Sequence, residues 1–246
     1  MLQEIADAQG DVDSYIAQYD EQVRKVPTIA AAIARRLLAA NRADEAWRII
    51  EAVQHRRGDL PDNEWEDARI DVLVALGRGE EAQAARLSCF ERSLSASHLR
   101  DYLKTLPDFD EFEAEQRALD YAERYSPAIQ SVWFLAAWPA LDRAAKVVIQ
   151  RAAELDGNRY EILSPAAEAL AAKYPLAATL ALRAMIDFTL LQSRSSRYGH
   201  AARHLRECGG FASAIADYGA FESYDAYVSR LRREHGKKMA FWSLVA

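Results

Sequence analysis

The chain has 246 residues, half of them hydrophobic and 28% charged, with a net charge of −6. A compact fold of this length buries roughly 70–75% of its unfolded surface, so no disulfide or metal staple is required, and the composition is far from that of a disordered chain. The acidic balance argues against a dedicated nucleic-acid domain, since such domains tend to be strongly basic.

The two cysteines, Cys89 and Cys208, form no Cys-x-x-Cys pair and read as reduced, cytosolic thiols. The first residues, Met1 to Asp7, carry acids where a signal peptide needs a basic and then an apolar region. The longest uncharged run, Tyr125 to Leu141, is interrupted by Pro127 and Pro139 and is shorter than the ~20 residues that span a bilayer. A cytoplasmic protein with no membrane segment is expected.

Leu, Ala, Glu, Arg and Gln dominate from end to end, and alternating β-branched runs are absent, so every element is expected to be helical. In chain order the first helices fall at 12–26, 28–40, 43–55, 63–76, 80–93 and 95–105. The rest fall at 109–124, 127–137, 140–155, 159–172, 176–192, 196–208, 211–217, 222–235 and 238–244. Capping boxes are expected at Asn63–Glu66 and Asp108–Glu111. Ser126-Pro127 and Ser164-Pro165 read as a hydroxyl cap followed by proline at the first helical position. Gly58, Gly77, Gly157 and Gly236 fall where helices should stop.

A faint repeat links these elements. Residues 38–46, Leu-Ala-Ala-Asn-Arg-Ala-Asp-Glu-Ala, align with residues 74–82, Val-Ala-Leu-Gly-Arg-Gly-Glu-Glu-Ala, 36 residues later. Residues 169–178 look like a degenerate third copy. The spacing is near the ~34-residue unit of tetratricopeptide-type helix pairs. The fold class is therefore all-α, an α-α superhelix of antiparallel helix hairpins, a TPR-like solenoid. One domain is expected over residues 1–246. The charge balance divides it into an acidic array at 1–180 and a basic C-terminal unit at 181–246, where ten Lys/Arg from Arg183 onward face six Asp/Glu.

That basic end holds the candidate site. Residues 193–206 contain Arg194, Arg197, Arg203, Arg206, His200, His204 and Tyr198. On the helix there, Tyr198, Ala201, Ala202, Leu205 and Cys208 form the buried stripe. His200, His204 and Cys208 advance about 40° per step, from the solvent face to the buried one, so the three cannot comfortably share one metal ion. The arginines, with Arg230, Arg232, Arg233, Lys237 and Lys238, could form a phosphate-binding face, and Tyr198, Tyr224, Tyr227 and Trp242 stacking surfaces. The competing reading is internal, with arginines paired to Asp187, Glu207 or Glu234 to close the array. No phosphate loop and no Gly-x-Ser-x-Gly elbow is present.

Almost the whole chain resembles an uncharacterised bacterial family, the domain of unknown function DUF6880. The segments that carry the likeness are residues 5–13, 84–92, 102–110 and 174–180, together with Arg197-Tyr-Gly-His-Ala-Ala-Arg-His-Leu205 and His235-Gly-Lys-Lys238. The resemblance implies an all-helical, tetratricopeptide-like protein with no assigned activity, in a family whose members commonly have additional N-terminal sequence. The C-terminal block is also similar to the region that follows the zinc-binding motif in SWIM zinc-finger proteins. Two isolated cysteines do not supply that motif, so zinc is not carried over.

The expected function is a scaffold or adaptor that binds a protein partner, with no catalysis of its own and no cofactor. The binding residues expected are Arg183, Asp187, Arg197, Tyr198, His200, Arg203 and His204, with His235, Lys237 and Lys238, converging on one concave surface. Nucleic-acid binding through the basic unit is the alternative, and a metal-dependent enzyme using His200 and His204 the second.

Overall fold

The computed structural model describes residues 11–53 and 62–245, and among these all regular structure is helical. Residues up to Thr105 form one compact unit and those from Leu106 onward another. The first contains α1 (Val12–Ala17), α2 (Pro27–Ala39), α3 (Ala43–Glu51), α4 (Asn63–Ala75), α5 (Gly79–Ser93) and α6 (Ala96–Leu103). The second contains α7 (Asp108–Arg124), α8 (Ala128–Ala137), α9 (Leu141–Gln150), α10 (Tyr160–Ala171), α11 (Pro175–Leu191), α12 (Tyr198–Phe211), α13 (Tyr224–His235) and α14 (Met239–Val245). The charge shift near residue 180 falls inside α11, within the second unit. Helices pack on their neighbours in sequence and often on the next but one, as α2 packs on α3 and α4, and α8 on α9 and α10. No helix among the described residues is long and apolar enough to cross a membrane.

The sequence repeat is a repeat of structure. After α2 and after α4 the chain turns left-handed, at Asn41 with φ 58° and at Gly77 with φ 72°. Asparagine and glycine tolerate that region where most residues do not. The next amide then reaches back: the Arg42 N–H donates to the Leu37 carbonyl at 2.9 Å and the Arg78 N–H to the Leu73 carbonyl at 2.9 Å, the long bond of a Schellman stop. Each arginine then grips the glutamate three residues on through two bonds of 2.7 Å, Arg42 to Glu45 and Arg78 to Glu81. Ser193 (φ 51°) repeats the stop after α11, with the Arg194 N–H on the Thr189 carbonyl at 3.0 Å. Residues 169–178 do join two helices, but Lys173 and Tyr174 both donate to the Leu170 carbonyl and no left-handed residue intervenes.

Several local expectations shift. Residues 12–26 are two pieces, because the Asp20 carboxylate accepts the amides of Gln22 and Val23 and starts a separate 3-10 turn, Val23–Lys25. Residues 211–217 form no α-helix: α12 continues through Gly209 and Gly210 to Phe211 and ends in the 3-10 turn Ala212–Ala214. Asp62, not Asn63, caps α4 by accepting the Trp65 N–H at 3.0 Å, while α7 starts after Pro107 with no side-chain cap. Pro127 itself takes the cap position of α8, after a cis Ser126–Pro127 bond. Pro165 lies inside α10, exposed to solvent, where it removes the amide that would return to Glu161. Ser164 is therefore a helix-surface side chain, not a cap. The stop expected at Gly58 lies outside the described residues.

In the second unit α11 is central. It is apolar on nearly every side and buries Leu180, Ala181, Leu182, Met185, Ile186 and Leu190, and α9, α10 and α12 all pack on it. The connection before α10 presses close: a Cβ at Gly157 would stand 2.0 Å from the Ala184 carbonyl oxygen, so only glycine permits that approach.

Candidate binding groove

Since α10 and α12 both lie on α11, a groove runs between them with α11 as its floor. Small side chains make the room. On α10, Ser164, Ala167 and Ala171 follow at three- and four-residue spacing, and Ala201 does the same work on α12. The groove has two contiguous parts that share Ser164, Arg203 and His204. One is a cavity of about 220 Å³ that reaches Gly157 and Tyr160, is floored by Met185 and Thr189, and is walled by Ser196, Arg197 and His200. The other, of about 440 Å³, is floored by Leu182 and bounded by Glu168, Glu207 and Phe211.

The two parts differ in charge. The smaller cavity is lined by Arg197 and Arg203, two imidazoles and no carboxylate, whereas the larger part carries Glu168 and Glu207. Arg197 lies over the Tyr160 ring, 4.8 Å from its centroid, and donates to the neutral Asn158 side-chain oxygen at 3.0 Å, while its charge is also felt by the Glu161 carboxylate, which is not part of the cavity lining. Arg203 sits 3.6 Å from the Glu207 carboxylate and 3.3 Å from Nδ1 of His200. Arginine can only donate, so in that contact the His200 nitrogen is the acceptor.

His204 is the unusual member. Its side chain is only 6% exposed, yet among the described residues its ring has no hydrogen-bond partner, and it borders both parts of the groove. Burial, followed by the charges of Arg203 and His200, pulls its pKa down to about 4, so the ring is neutral near pH 7. A neutral imidazole still presents one donor and one acceptor. Cys208, one turn on, is fully buried, and burial pushes its thiol up to about 12. His200 is exposed, so the solvent-to-core drift along His200, His204 and Cys208 is as its spacing implies. Among the described residues no three His, Cys, Asp or Glu side chains are grouped to hold a metal ion.

Of the expected binding residues, the fold thus brings Arg197, His200, Arg203 and His204 to one cavity. Tyr198 is in the core instead, its ring 5.9 Å from that of Phe241 in α14. Arg183 and Asp187 point about a third of a turn away around α11, toward α13. Arg183 is 5% exposed; it donates to the Glu222 carbonyl at 2.7 Å and lies 4.3 Å from the Tyr227 ring centroid, while its Nε and Nη2 have no hydrogen-bond partner. Asp187 accepts from the Tyr227 hydroxyl at 2.9 Å and from Arg230 at 3.2 Å; burial raises its pKa against the pull of those partners. Arg230 also holds Glu222 and Glu234. His235 ends α13, and Lys237 and Lys238 belong to the turn between α13 and α14. There Lys238 donates to the Ser193 hydroxyl at 2.7 Å, and the His235 carbonyl accepts from the Trp242 indole at 3.0 Å.

The α10 wall and the α11 floor of the groove were not foreseen. The only sequence signal for them was the small-residue spacing of Ser164, Ala167 and Ala171, hidden because Ser164-Pro165 reads as a helix start. No hydroxyl of the lining is hydrogen-bonded to a histidine among the described residues, and Ser164 donates to the Met185 sulfur at 3.5 Å.

All regular structure among the described residues is helical, and in the second unit a polar-walled groove runs across the central apolar helix α11. The chain belongs to the family of unknown function DUF6880, whose family model matches residues 1–244. No curated protein and no solved structure matches it.

Proposed function

We propose that the chain is a cytoplasmic, non-catalytic binding protein, a TPR-like superhelix of antiparallel helix hairpins, which holds a segment of a protein partner in the groove between α10 and α12. The observation that carries this reading is the groove itself: an apolar floor of Leu182 and Met185 between polar walls, open along more than two turns of α10. Recesses of this kind bury a ligand against apolar side chains and orient it with a few polar ones. Ala171 lines the larger part, so Ala171→Trp places a bulky ring where the partner segment would lie. Affinity purification with the native chain and with Ala171→Trp is the test. A partner recovered by the native chain and lost with the folded variant supports the reading, and equal recovery by both overturns it.

Nucleic-acid binding is the second reading, favoured by the excess of basic residues after Arg183. It is weakened because Arg183 is buried and Arg230 is engaged by three carboxylates. An affinity that does not fall between two salt concentrations removes it.

A further inference from the structure

We propose that the smaller cavity is an oxyanion site, which takes a carboxylate or phosphate group of whatever occupies the groove. The inference rests on the groove being a binding site and adds the chemistry of the group at its closed end. Three observations meet there. The cavity is lined by two guanidinium groups and no carboxylate, in a chain whose net charge is −6. Arg197 is held in place by a neutral amide oxygen and an aromatic ring, and the one carboxylate that feels its charge, Glu161, makes no ion pair with it and lies outside the cavity lining. His204, more than nine-tenths buried, borders the cavity with a ring that no protein group satisfies among the described residues. Its nitrogens are not sealed from solvent as the unpartnered nitrogens of Arg183 are, so they are open to a ligand in the cavity that the ring borders.

An oxyanion fits all three. Its oxygens accept from the arginines in charge-assisted bonds and from the N–H of the neutral His204 ring. The hydroxyls of Ser164, Thr189 and Ser196 are further donors along the same lining, and Met185 and Ala201 supply an apolar seat for the carbon next to the anion. A cation at this end would meet two arginines. It is better placed at the other end, where Glu168 and Glu207 stand, so the groove also sets the direction of its occupant.

The site is charged without titration of His204. Arg203 and His200 act directly on this ring, and the other titratable side chains that line the two parts it borders are Arg197 from the preceding turn, Tyr160 and Glu168 from α10 and Glu207 from α12, with none from α11. An oxyanion bound against the ring favours its protonated form, so anion affinity rises as pH falls from 7 toward 5.

The test is titration of the full chain with sodium phosphate and, separately, sodium acetate, against sodium chloride at matched ionic strength. Heats and the imidazole resonances are followed together. Saturable binding of at least one probe, with Kd on the order of 1 mM and a shifted His204 signal, is the expected result. Preference for phosphate assigns a phosphorylated group, and preference for acetate a carboxylate. The double variant Arg197→Met/Arg203→Met lowers the affinity at least about tenfold. Ser196→Asp, an exposed change that places a negative charge at the mouth, does the same should the double variant fail to fold. No saturable binding of either probe, or binding that neither variant weakens, overturns the proposal. The two claims are read separately, anion binding by the titration and partner capture by recovery with the native chain and with Ala171→Trp. Groove-dependent capture without anion binding sinks only the oxyanion site, and anion binding with groove-independent capture sinks only the partner reading.

Discussion

Two arginine clusters lie on different sides of α11, and they use the same side chain in different ways. Toward α13, Arg230 meets Asp187, Glu222 and Glu234, and Arg183 is sealed between a backbone carbonyl and the Tyr227 ring. Toward the groove, Arg197 meets a neutral oxygen and a ring and forms no ion pair among the described residues, with Glu161 acting on it only at longer range, and Arg203 has one loose ion pair at 3.6 Å. Density of arginine therefore does not separate structure from function in this unit. What separates them is whether each charge already has its counterpart inside the chain. The first cluster is spent on holding α13 to α11, and the second is only loosely paired within the chain.

The comparison breaks most visibly at its structural pole. Tyr227 is 1% exposed, and burial with the neighbouring Asp187 drives its hydroxyl pKa well up, so the phenol stays protonated as the donor to Asp187. Tyr227→Ala removes a buried ring along with the seat of Arg183 and is expected to destabilise the second unit by about 3–5 kcal/mol, read by chemical denaturation. A loss below 1 kcal/mol would mean that α13 is not fastened through this ring.

The next effect belongs to His204 and has a defined pH window. The folded ring holds its pKa near 4, below the 6.5 of an unfolded histidine. Below pH 6.5 the unfolded chain therefore binds a proton that the folded chain refuses. The stabilisation is complete above pH 6.5 and is lost as pH falls toward 4, by about 3 kcal/mol in all. Denaturation at a series of pH values, compared with His204→Gln, isolates this contribution from that of other groups. Parallel curves for the two proteins would show that the ring is not desolvated as the fold implies. Bound phosphate or acetate should shrink the difference, since an anion against the ring offsets the penalty for its protonation.

How much of this was legible in the chain follows from which contacts are local. The helices and the paired stops at Asn41 and Gly77 are written in short stretches, because a left-handed residue and an arginine-to-glutamate grip need only neighbours in sequence. The drift from exposed His200 to buried Cys208 is likewise fixed by helical spacing. The groove is different, because it exists only where α10 and α12 rest on the same helix, and no window of sequence contains both walls. Ser164-Pro165 carried the wrong local signal, since a proline inside a helix and a proline that begins one look alike. The burial of Arg183 was equally hidden: its partner is the backbone of Glu222, and a backbone carbonyl leaves no mark on composition.

The finest test sets one arginine of each cluster against the other. Arg230→Met takes a hub from three carboxylates and leaves Asp187, already raised by burial, without its cation. Solvent reaches all of these groups, which screens the effect, so a loss of about 1–2 kcal/mol is expected. Arg203→Met removes a side chain that is 56% exposed and bound to Glu207 at long range. Its methylene stem is replaced by another of similar length, so stability should stay within about 0.5 kcal/mol of the native value. The two variants should then invert in the anion titration, with Arg230→Met binding as the native chain does and Arg203→Met binding more weakly. If both arginines move stability alike and neither moves anion affinity, the groove arginines are as structural as those beneath α13, and the distinction between the two clusters fails.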